Sequence, residues 1–299
     1  MTEKAPISEE FPFESHFVEV NGQRIHYVEQ GEGAPILFLH GNPTSAYLWR
    51  NIIPYTAHHG RAIAMDLIGM GKSDKPDIPY RFHDHVLFVD GFIEALGLKD
   101  VVLVIHDWGS GLGFHYAHRH AENVRGVAFM EAILRPVQWS DFPADFKTGF
   151  KLMRMPGIGW IMISGLNFFV NKILPQAIVR TLSETEMAHY REPYPTPRSR
   201  RPVRRWPCEI PIEGHPDDVH QAVSAYNAWL QETDIPMLLF YARPGGLIRE
   251  KDVAWCRQHI KNLTAVDIGP GLHFVQEDNP HKIGEELANW IEDLATASN

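Results

Sequence analysis

The stretch from Val101 to Ser110 constrains the fold more than any other part of the chain. Five consecutive apolar residues, Val101–Ile105, run into a polar turn, and glycines at positions 109, 111 and 113 follow it. An apolar run of this length is typical of a strand that is covered on both faces. A strand that turns sharply into a glycine-rich helix exposes the residue at the turn above the sheet. The stretch therefore predicts an α/β sheet with Asp107 at the tip of such a turn.

Similar short apolar runs recur along the chain, separated by helix-length segments such as Asp84–Leu96. These runs are Gln23–Glu29, Ile36–Leu39, Arg61–Met65, Val124–Met130, Met237–Tyr241 and Thr264–Ile268. They predict an α/β fold with a mostly parallel central sheet flanked by helices on both faces. The sheet should begin with a hairpin-like pair, and the chain should end in a helix over Pro280–Ala295.

The alternation of strands and helices stops between about Ile133 and Ile212. This stretch has Trp, Phe and Met at helical spacing, many prolines and no convincing strand. We predict that residues 133–212 form a helical cap domain, inserted after the sixth strand into a core domain of residues 1–132 and 213–299. Such an insertion would cover the carboxyl ends of the strands, where open α/β sheets bind ligands.

Composition excludes several classes of partner. The net charge of −9 over 299 residues argues against nucleic acid. Polar residues interrupt the apolar stretch Ile158–Leu174, so we predict a helix pair over an apolar pocket and no membrane partner. No signal peptide is predicted, and two cysteines, Cys208 and Cys256, fit a cytoplasmic protein while leaving one disulfide possible. Oligomeric state is left open.

One short segment is strongly basic, with arginines at positions 198, 200, 201, 204 and 205. The favoured interpretation is a solvated surface segment. An anion or partner site is the alternative.

Three ionisable residues follow predicted strands, in the order carboxylate, carboxylate, histidine. They are Asp107, Glu131 and His273. Each alone has a simpler interpretation: Asp107 as a helix N-cap, Glu131 as a solvated loop acid, and His273 as one of 17 histidines. Their joint order is that of a nucleophile, acid and base triad. His106 is a rival base, but its place beside Asp107 predicts that it points away across the turn.

A fourth motif, His40-Gly41-Asn42-Pro43, follows the strand Ile36–Leu39 and would face the turn from the neighbouring strand. Gly41 and Pro43 could also merely shape a turn. An ionised carboxylate such as Asp107 can attack an electrophilic saturated carbon and form an ester with it, and needs no base for that step.

With these residues, the chain resembles the haloalkane dehalogenases of the α/β-hydrolase superfamily over nearly its whole length. The resemblance is carried by residues 40–45 (HGNPTS), 66–73 (DLIGMGKS), 106–110 (HDWGS) and 271–280 (GLHFVQEDNP). It implies hydrolysis of haloalkanes to an alcohol, halide and a proton through a covalent ester on Asp107, with His273 as general base. It also implies that the partners are a small apolar halogenated substrate, water and halide, and that no metal or organic cofactor is needed.

The resemblance assigns further residues. One branch of the family has its triad acid after the strand that corresponds to Met237–Tyr241, but residues 242–246 (ARPGG) offer no carboxylate, and Asp234 lies at the wrong end of that strand. Glu131 therefore resembles the acid of the other branch. Asn42 and Trp108 match the family's halide donors. The implied substrate pocket includes Phe150, Phe169, Pro207 and Leu247.

Two alternatives stay open at this stage. An epoxide hydrolase would share Asp107 and His273, and would need cap tyrosines such as Tyr190 and Tyr194 to protonate the opening ring. A small-molecule receptor on an inactive hydrolase fold is the second. Asn42 and Trp108 favour the dehalogenase, since halide donors serve no purpose in opening an epoxide.

Overall fold

The computed structural model describes residues 6–142 and 144–297. Its strands are β1 (His16–Val20), β2 (Gln23–Gln30), β3 (Pro35–Leu39), β4 (Arg61–Met65), β5 (Val101–Asp107), β6 (Val124–Ala132), β7 (Met237–Pro244) and β8 (Leu263–Gly271). Its α-helices are α1 (Ile53–Thr56), α2 (Phe82–Ala95), α3 (Trp108–Arg119), α4 (Ala144–Arg154), α5 (Pro156–Gly159), α6 (Leu174–Gln176), α7 (Glu184–Arg191), α8 (Arg201–Glu209), α9 (Asp217–Glu232), α10 (Glu250–His259), α11 (Val275–Asp278) and α12 (Pro280–Ala297).

The eight strands form one sheet in the order β1-β2-β4-β3-β5-β6-β7-β8. The β1–β2 and β2–β4 pairs are antiparallel, and the remaining neighbours are parallel. All seven residues of β5 are buried, because helices cover both faces of the sheet. The predicted α/β fold with a mostly parallel sheet is confirmed. The strand order also makes β3 and β6 the two neighbours of β5, so three chain segments end at one edge beside Asp107.

Two strands run further than the apolar runs indicated. β5 includes Asp107, and β6 continues through Glu131 to Ala132. Both acidic residues have positive φ values, 50° for Asp107 and 44° for Glu131, in the left-handed region that few non-glycine residues adopt. The sequence placed them just beyond the strands. They are instead the points where the strand backbone leaves regular geometry, with a register shift between His106 and Asp107.

Helices alone connect β6 to β7 among the described residues. The segment leaves and re-enters the core at one place, where Val137 pairs with Ile212 in an isolated bridge and the Glu213 N–H donates to the Val137 carbonyl oxygen at 3.0 Å. Two turns of π-helix, Trp160–Gly165 and Phe169–Ile173, lie inside it. We call the helices from α4 to α8 the helical insertion.

A buried ion-pair network joins the helical insertion to the sheet. The Arg50 guanidinium donates to both carboxylate oxygens of Glu277, at 2.6 and 2.8 Å, and to Glu186 of α7 at 2.8 Å. Arg180 donates to the same two carboxylates, and the Tyr190 hydroxyl also donates to Glu277. A bidentate arginine held by two carboxylates stabilises a buried charge that would otherwise be costly. The insertion is therefore fixed to the core by charge as well as by apolar packing.

Most of the basic segment is not simply solvated. Arg200 donates to the carbonyl oxygens of Ser164 and Gly165, Arg201 pairs with Asp77, and Arg205 pairs with Glu209 at 2.7 Å. The interpretation as a solvated surface segment is wrong for these three arginines. Arg200 and Arg201 tie the start of α8 to neighbouring elements, and Arg205 pairs with the buried Glu209 within α8.

Among the described residues, no single helix is long and apolar enough to cross a membrane. The helix pair Pro156–Gly165 and Phe169–Gln176 together has the length and composition of a membrane span, but it is bent by 65°. Cys208 and Cys256 both carry free thiols.

Candidate active site

Asp107 stands at the tip of the turn between β5 and α3. It occupies the N-cap position of α3, but its side chain makes no capping hydrogen bond. Glycine is required at two neighbouring positions: a Cβ atom on Gly41 would overlap the Asp107 carboxylate, and one on Gly109 would overlap the Leu39 carbonyl oxygen. Asp107 is thus at the N-cap position, as the simpler interpretation had it, but its carboxylate has no capping role because it makes no capping hydrogen bond to α3.

Backbone and histidine donors hold the Asp107 carboxylate. The Asn42 N–H donates to Oδ1 at 2.7 Å, and His273 Nε2 lies 3.3 Å from Oδ2. Burial raises the pKa of Asp107, but the hydrogen bond and charge of His273, together with the Trp108 N–H, bring it below its ordinary value. The carboxylate is thus ionised and faces the space above the sheet.

His273 lies between the two acids. Its Nδ1 atom is 3.3 Å from Glu131 Oε2, on the side opposite Asp107. The N–H groups of His273 and Phe274 both donate to the Ala177 carbonyl oxygen, at 3.0 and 3.1 Å, so the helical insertion positions the loop that carries the imidazole. This arrangement matches a base held by one carboxylate and aimed at another.

Glu131 is almost fully buried and is held by backbone donors. Its Oε2 atom accepts from the N–H groups of Gly246 and Leu247, at 2.9 and 2.6 Å. Burial raises the pKa of Glu131 above its ordinary value, although the His273 hydrogen bond and charge and these two N–H groups act in the opposite direction. The interpretation of Glu131 as a solvated loop acid is wrong, since its side chain is 1% exposed. The segment after β7 lacks a carboxylate and instead supplies N–H donors to Glu131.

His106 points away from the reacting side of Asp107. Its Nε2 atom donates to the His273 carbonyl oxygen at 2.9 Å, and burial lowers its pKa to about 3. This neutral ring supports the loop of His273 from below. It is therefore not placed to act as the base.

The two predicted halide donors lie beside the Asp107 carboxylate. The Asn42 side-chain amide donates one N–H to the Val203 carbonyl oxygen at 3.2 Å, which orients its nitrogen and leaves a second N–H. The Trp108 indole stacks on Trp206, with ring centroids 4.5 Å apart, and its N–H has no acceptor among the described residues. Asn42, Asp107 and Trp108 line the same cavity.

That cavity has a volume of about 510 Å³ and walls that are mostly apolar. The four residues predicted for the pocket, Phe150, Phe169, Pro207 and Leu247, all line it. Sequence reasoning missed further lining residues, which include Ile133, Leu134, Phe142, Phe146, Ile173 and Phe274. The spacing of Phe142, Phe146 and Phe150, one helical turn apart, was the signal that could have found two of them.

Charged side chains surround the outer part of this cavity. Arg135 lies 3.4 Å from both Asp141 and Asp252, and Lys251 lies 3.3 Å from Asp141. All four residues line the cavity. The floor therefore holds the reacting groups, the walls are apolar, and the outer end carries a network of ion pairs.

The two tyrosines that an epoxide hydrolase would need do not line the cavity. Tyr190 donates its hydroxyl hydrogen to Glu277 in the buried ion-pair network. Tyr194 is 1% exposed and its hydroxyl has no partner among the described residues. Neither hydroxyl is therefore placed to protonate a substrate oxygen above Asp107.

The ionisation of His273 gives a prediction for pH. Burial lowers the pKa of His273, but its interactions with Asp107 and Glu131 outweigh burial and raise it from an ordinary 6.5 to about 9. Because the folded chain holds this proton more tightly than the unfolded chain, the resulting stabilisation is complete below pH 6.5 and is lost as pH rises through about 9. We expect the Asp107→Asn variant to titrate His273 at lower pH than the wild type. An imidazole NMR titration that is the same in both proteins would contradict this coupling.

Comparisons with known proteins agree with the fold. The family model of the α/β-hydrolase fold matches residues 34–280. A haloalkane dehalogenase of Mesorhizobium japonicum is 47% identical over 276 residues, covering 91% of this chain and 89% of the relative. One from Sphingobium indicum is 47% identical over 293 residues, covering 96% and 98%. The crystal structure of the haloalkane dehalogenase DbeA from Bradyrhizobium elkani is 45% identical, covers 95% of this chain and 99% of that one, and superposes with a TM-score of 0.94.

Proposed function

The chain belongs to the haloalkane dehalogenases, which have the α/β-hydrolase fold, and from this premise we propose that it converts small apolar haloalkanes to alcohols through an ester on Asp107. It is a hydrolase acting on carbon–halide bonds. One observation carries the mechanism: an ionised Asp107, 3.3 Å from His273, shares an apolar cavity with Asn42 and Trp108.

In the first step an oxygen of Asp107 attacks the carbon that bears the halogen. A C–O bond forms while the C–X bond breaks, and the halide leaves with the electron pair. A bare anion in an apolar cavity is costly unless donors meet it. The Trp108 indole N–H and the free N–H of the Asn42 side chain are both uncharged donors, so they can stabilise the halide and still release it.

In the second step His273 takes a proton from water, and the hydroxide attacks the carbonyl carbon of the ester. Forming the ester removes the negative charge of Asp107, which lowers the pKa of His273 and makes the imidazole available as a base. Glu131 stabilises the imidazolium that forms. The backbone N–H groups of Asn42 and Trp108 lie where they can stabilise the oxyanion, each worth roughly 3–4 kcal/mol. The tetrahedral intermediate then collapses with cleavage of the acyl C–O bond. The alcohol leaves with the oxygen that Asp107 supplied in the first step, the water oxygen remains in the restored carboxylate, and one proton is released.

In this proposal residues 133–212 are the cap domain over a core of residues 1–132 and 213–299. Phe150, Phe169 and Pro207 of the cap domain and Leu247 of the core form part of the walls around the substrate. Such walls favour apolar substrates over charged ones such as haloacids. A cytoplasmic location belongs to the same proposal.

The proposal is tested by giving the purified protein 1-bromobutane and styrene oxide in separate reactions. We expect bromide and 1-butanol from the first, and no diol above the uncatalysed rate from the second, because neither Tyr190 nor Tyr194 reaches the cavity. Halide release and gas chromatography measure the two products. Turnover of the epoxide alone would overturn the assignment.

The role of Trp108 has its own test. Trp108→Phe keeps the aromatic stack but removes the N–H, so we expect bromide to bind about 10–100-fold more weakly, as for a hydrogen bond to a charged group. Trp206→Phe is the matched control, because Trp206 belongs to the same stack and does not line the cavity. Bromide titration followed by calorimetry measures both variants. Equal losses in the two would show that the stack, not the N–H, matters.

A further inference from the structure

Exposed apolar side chains are concentrated on one side of the helical insertion. Trp160 is 48% exposed, Ile161 is 55% and Leu166 is 67%. Three others are also exposed: Leu152 on α4, Ile158 on α5, and Met155 between the two helices. We call these six residues the apolar face. Single exposed apolar residues are ordinary, but six of them on or next to α4, α5 and the π-helical segment Trp160–Gly165, which pack against one another, indicate an interaction surface.

The apolar face shares helix α4 with the wall of the cavity. Helix α4 carries Leu152 of the apolar face and also Phe146 and Phe150, which line the cavity. Phe146 is itself 39% exposed. A partner on the apolar face would therefore contact the helix that also forms part of the cavity wall.

The charge around the apolar face differs from that of the chain as a whole. Between Asp145 and Glu184 the sequence has no acidic residue and five basic ones, whereas the whole chain has a net charge of −9. The five are Lys147, Lys151, Arg154, Lys172 and Arg180.

Two of these five cations are used inside the protein. Arg154 donates to the carbonyl oxygens of Pro207 and Ile210, and Arg180 belongs to the buried ion-pair network. The three lysines form no ion pair with any carboxylate that the structure describes. Lys151 lies over the Trp139 ring, 4.8 Å from its centroid, and Lys172 is exposed. Lys147 and Lys151 lie on α4 together with Leu152 of the apolar face, and Lys172 lies on the second π-helical segment, so cations without a described carboxylate partner occur on the helices of the same insertion.

We propose that the apolar face docks on the surface of a bilayer that contains anionic phospholipid. Apolar side chains with a tryptophan and flanking lysines are the combination that inserts shallowly at the headgroup boundary. Lysines near such a surface are attracted to anionic headgroups. A second copy of the chain fits less well, because a two-fold contact would bring the same lysines together. Contact is at the surface only, since Ile163, Val170 and Leu174 of the bent helix pair are buried in the protein.

Docking has a consequence for substrate supply that rests on the proposed function. Small haloalkanes partition into lipid, so docking through the helix that forms part of the cavity wall would bring the enzyme close to that reservoir of substrate. The sequence argument against a membrane partner concerned a spanning segment, and a surface contact is compatible with it.

Flotation with vesicles tests the docking directly and does not depend on dehalogenation. The full chain is mixed with vesicles of phosphatidylglycerol and phosphatidylcholine in equal parts, and separately with phosphatidylcholine alone. We expect association with the first that weakens as salt is added, and little with the second. The triple variant Trp160→Ser, Ile161→Ser, Leu166→Ser should bind at least about tenfold more weakly. Lys151→Gln and Lys172→Gln should each weaken binding about fivefold.

Controls separate docking from folding and from self-association. Leu87→Ser is matched, because Leu87 is 61% exposed on α2, outside the helical insertion, and should bind like the wild type. The triple variant should still release bromide from dissolved 1-bromobutane, since none of its three positions lines the cavity. No binding to anionic vesicles, or equal binding by the triple variant, would overturn the proposal. A dimer of the wild type that sedimentation velocity detects without lipid, and that the triple variant does not form, would also overturn it. A second copy of the chain would then occupy the apolar face.

Discussion

Replacing His273 with phenylalanine is expected to release a single equivalent of halide and then stop, with the alkyl group attached to Asp107. The first displacement needs only an ionised carboxylate, which the Asn42 N–H still holds at 2.7 Å. The second step loses its base, so steady-state turnover should fall by a factor on the order of 10²–10⁴. Intact-protein mass spectrometry after treatment with 1-bromobutane measures the added alkyl mass, and peptide mapping assigns it to Asp107.

The reaction is best followed at mildly alkaline pH. Removing the imidazolium takes away an interaction that lowers the pKa of Asp107, so burial raises that pKa in the variant. An alkaline solution keeps the carboxylate ionised for the first step. His220→Phe is the control, because His220 lies on α9 and does not line the cavity. It should turn over normally and retain no adduct. Steady turnover by the His273 variant, or halide release without an adduct, would contradict the two-step scheme.

Asp107→Asn should abolish the reaction at its first step. A neutral amide is a poor nucleophile towards a saturated carbon, so we expect turnover to fall on the order of 10⁴-fold or more, with neither adduct nor initial halide release. Asparagine tolerates a positive φ, and the variant should therefore keep the turn at 50° without unfolding the chain. Halide release with 1-bromobutane and circular dichroism measure the two properties.

Asp100→Asn is a closely matched control. Asp100 lies just before β5, has a φ of 54° and is exposed, so the substitution makes the same chemical change at a similar backbone geometry. Its activity should equal that of the wild type. A persistent ester in the Asp107 variant would mean that another group is the nucleophile.

Much of the fold and of the candidate site followed from local patterns. The apolar run of β5 predicted a doubly covered strand because helices bury both of its faces. Glu131 could be proposed because residues 242–246 contain no carboxylate, and the structure brings it within 3.3 Å of His273. These inferences needed only strand ends and parallel order, which place successive segments at one edge of the sheet.

The supporting contacts could not be predicted, because they join residues far apart in the chain. The Val203 carbonyl oxygen orients Asn42 across 161 residues, and the Gly246 N–H meets Glu131 across 115. Both depend on where a loop or cap helix comes to rest. The strand limits at Asp107 and Glu131 were missed for another reason. Apolar patterning ends one residue or more before the backbone leaves the sheet.

The Ala177 carbonyl oxygen, which accepts from both His273 and Phe274, ties the insertion to the loop of the imidazole. Four residues after His273, Glu277 binds Arg50 in the buried ion-pair network. If the insertion moved outward, the loop that carries the His273 imidazole would lose its hydrogen bonds to Ala177. Large hinged opening and an assembled base are mutually exclusive in such a molecule. Substrate and products must instead enter and leave while the insertion stays in place. The size of the molecules that can pass is then set by the side chains that line the route.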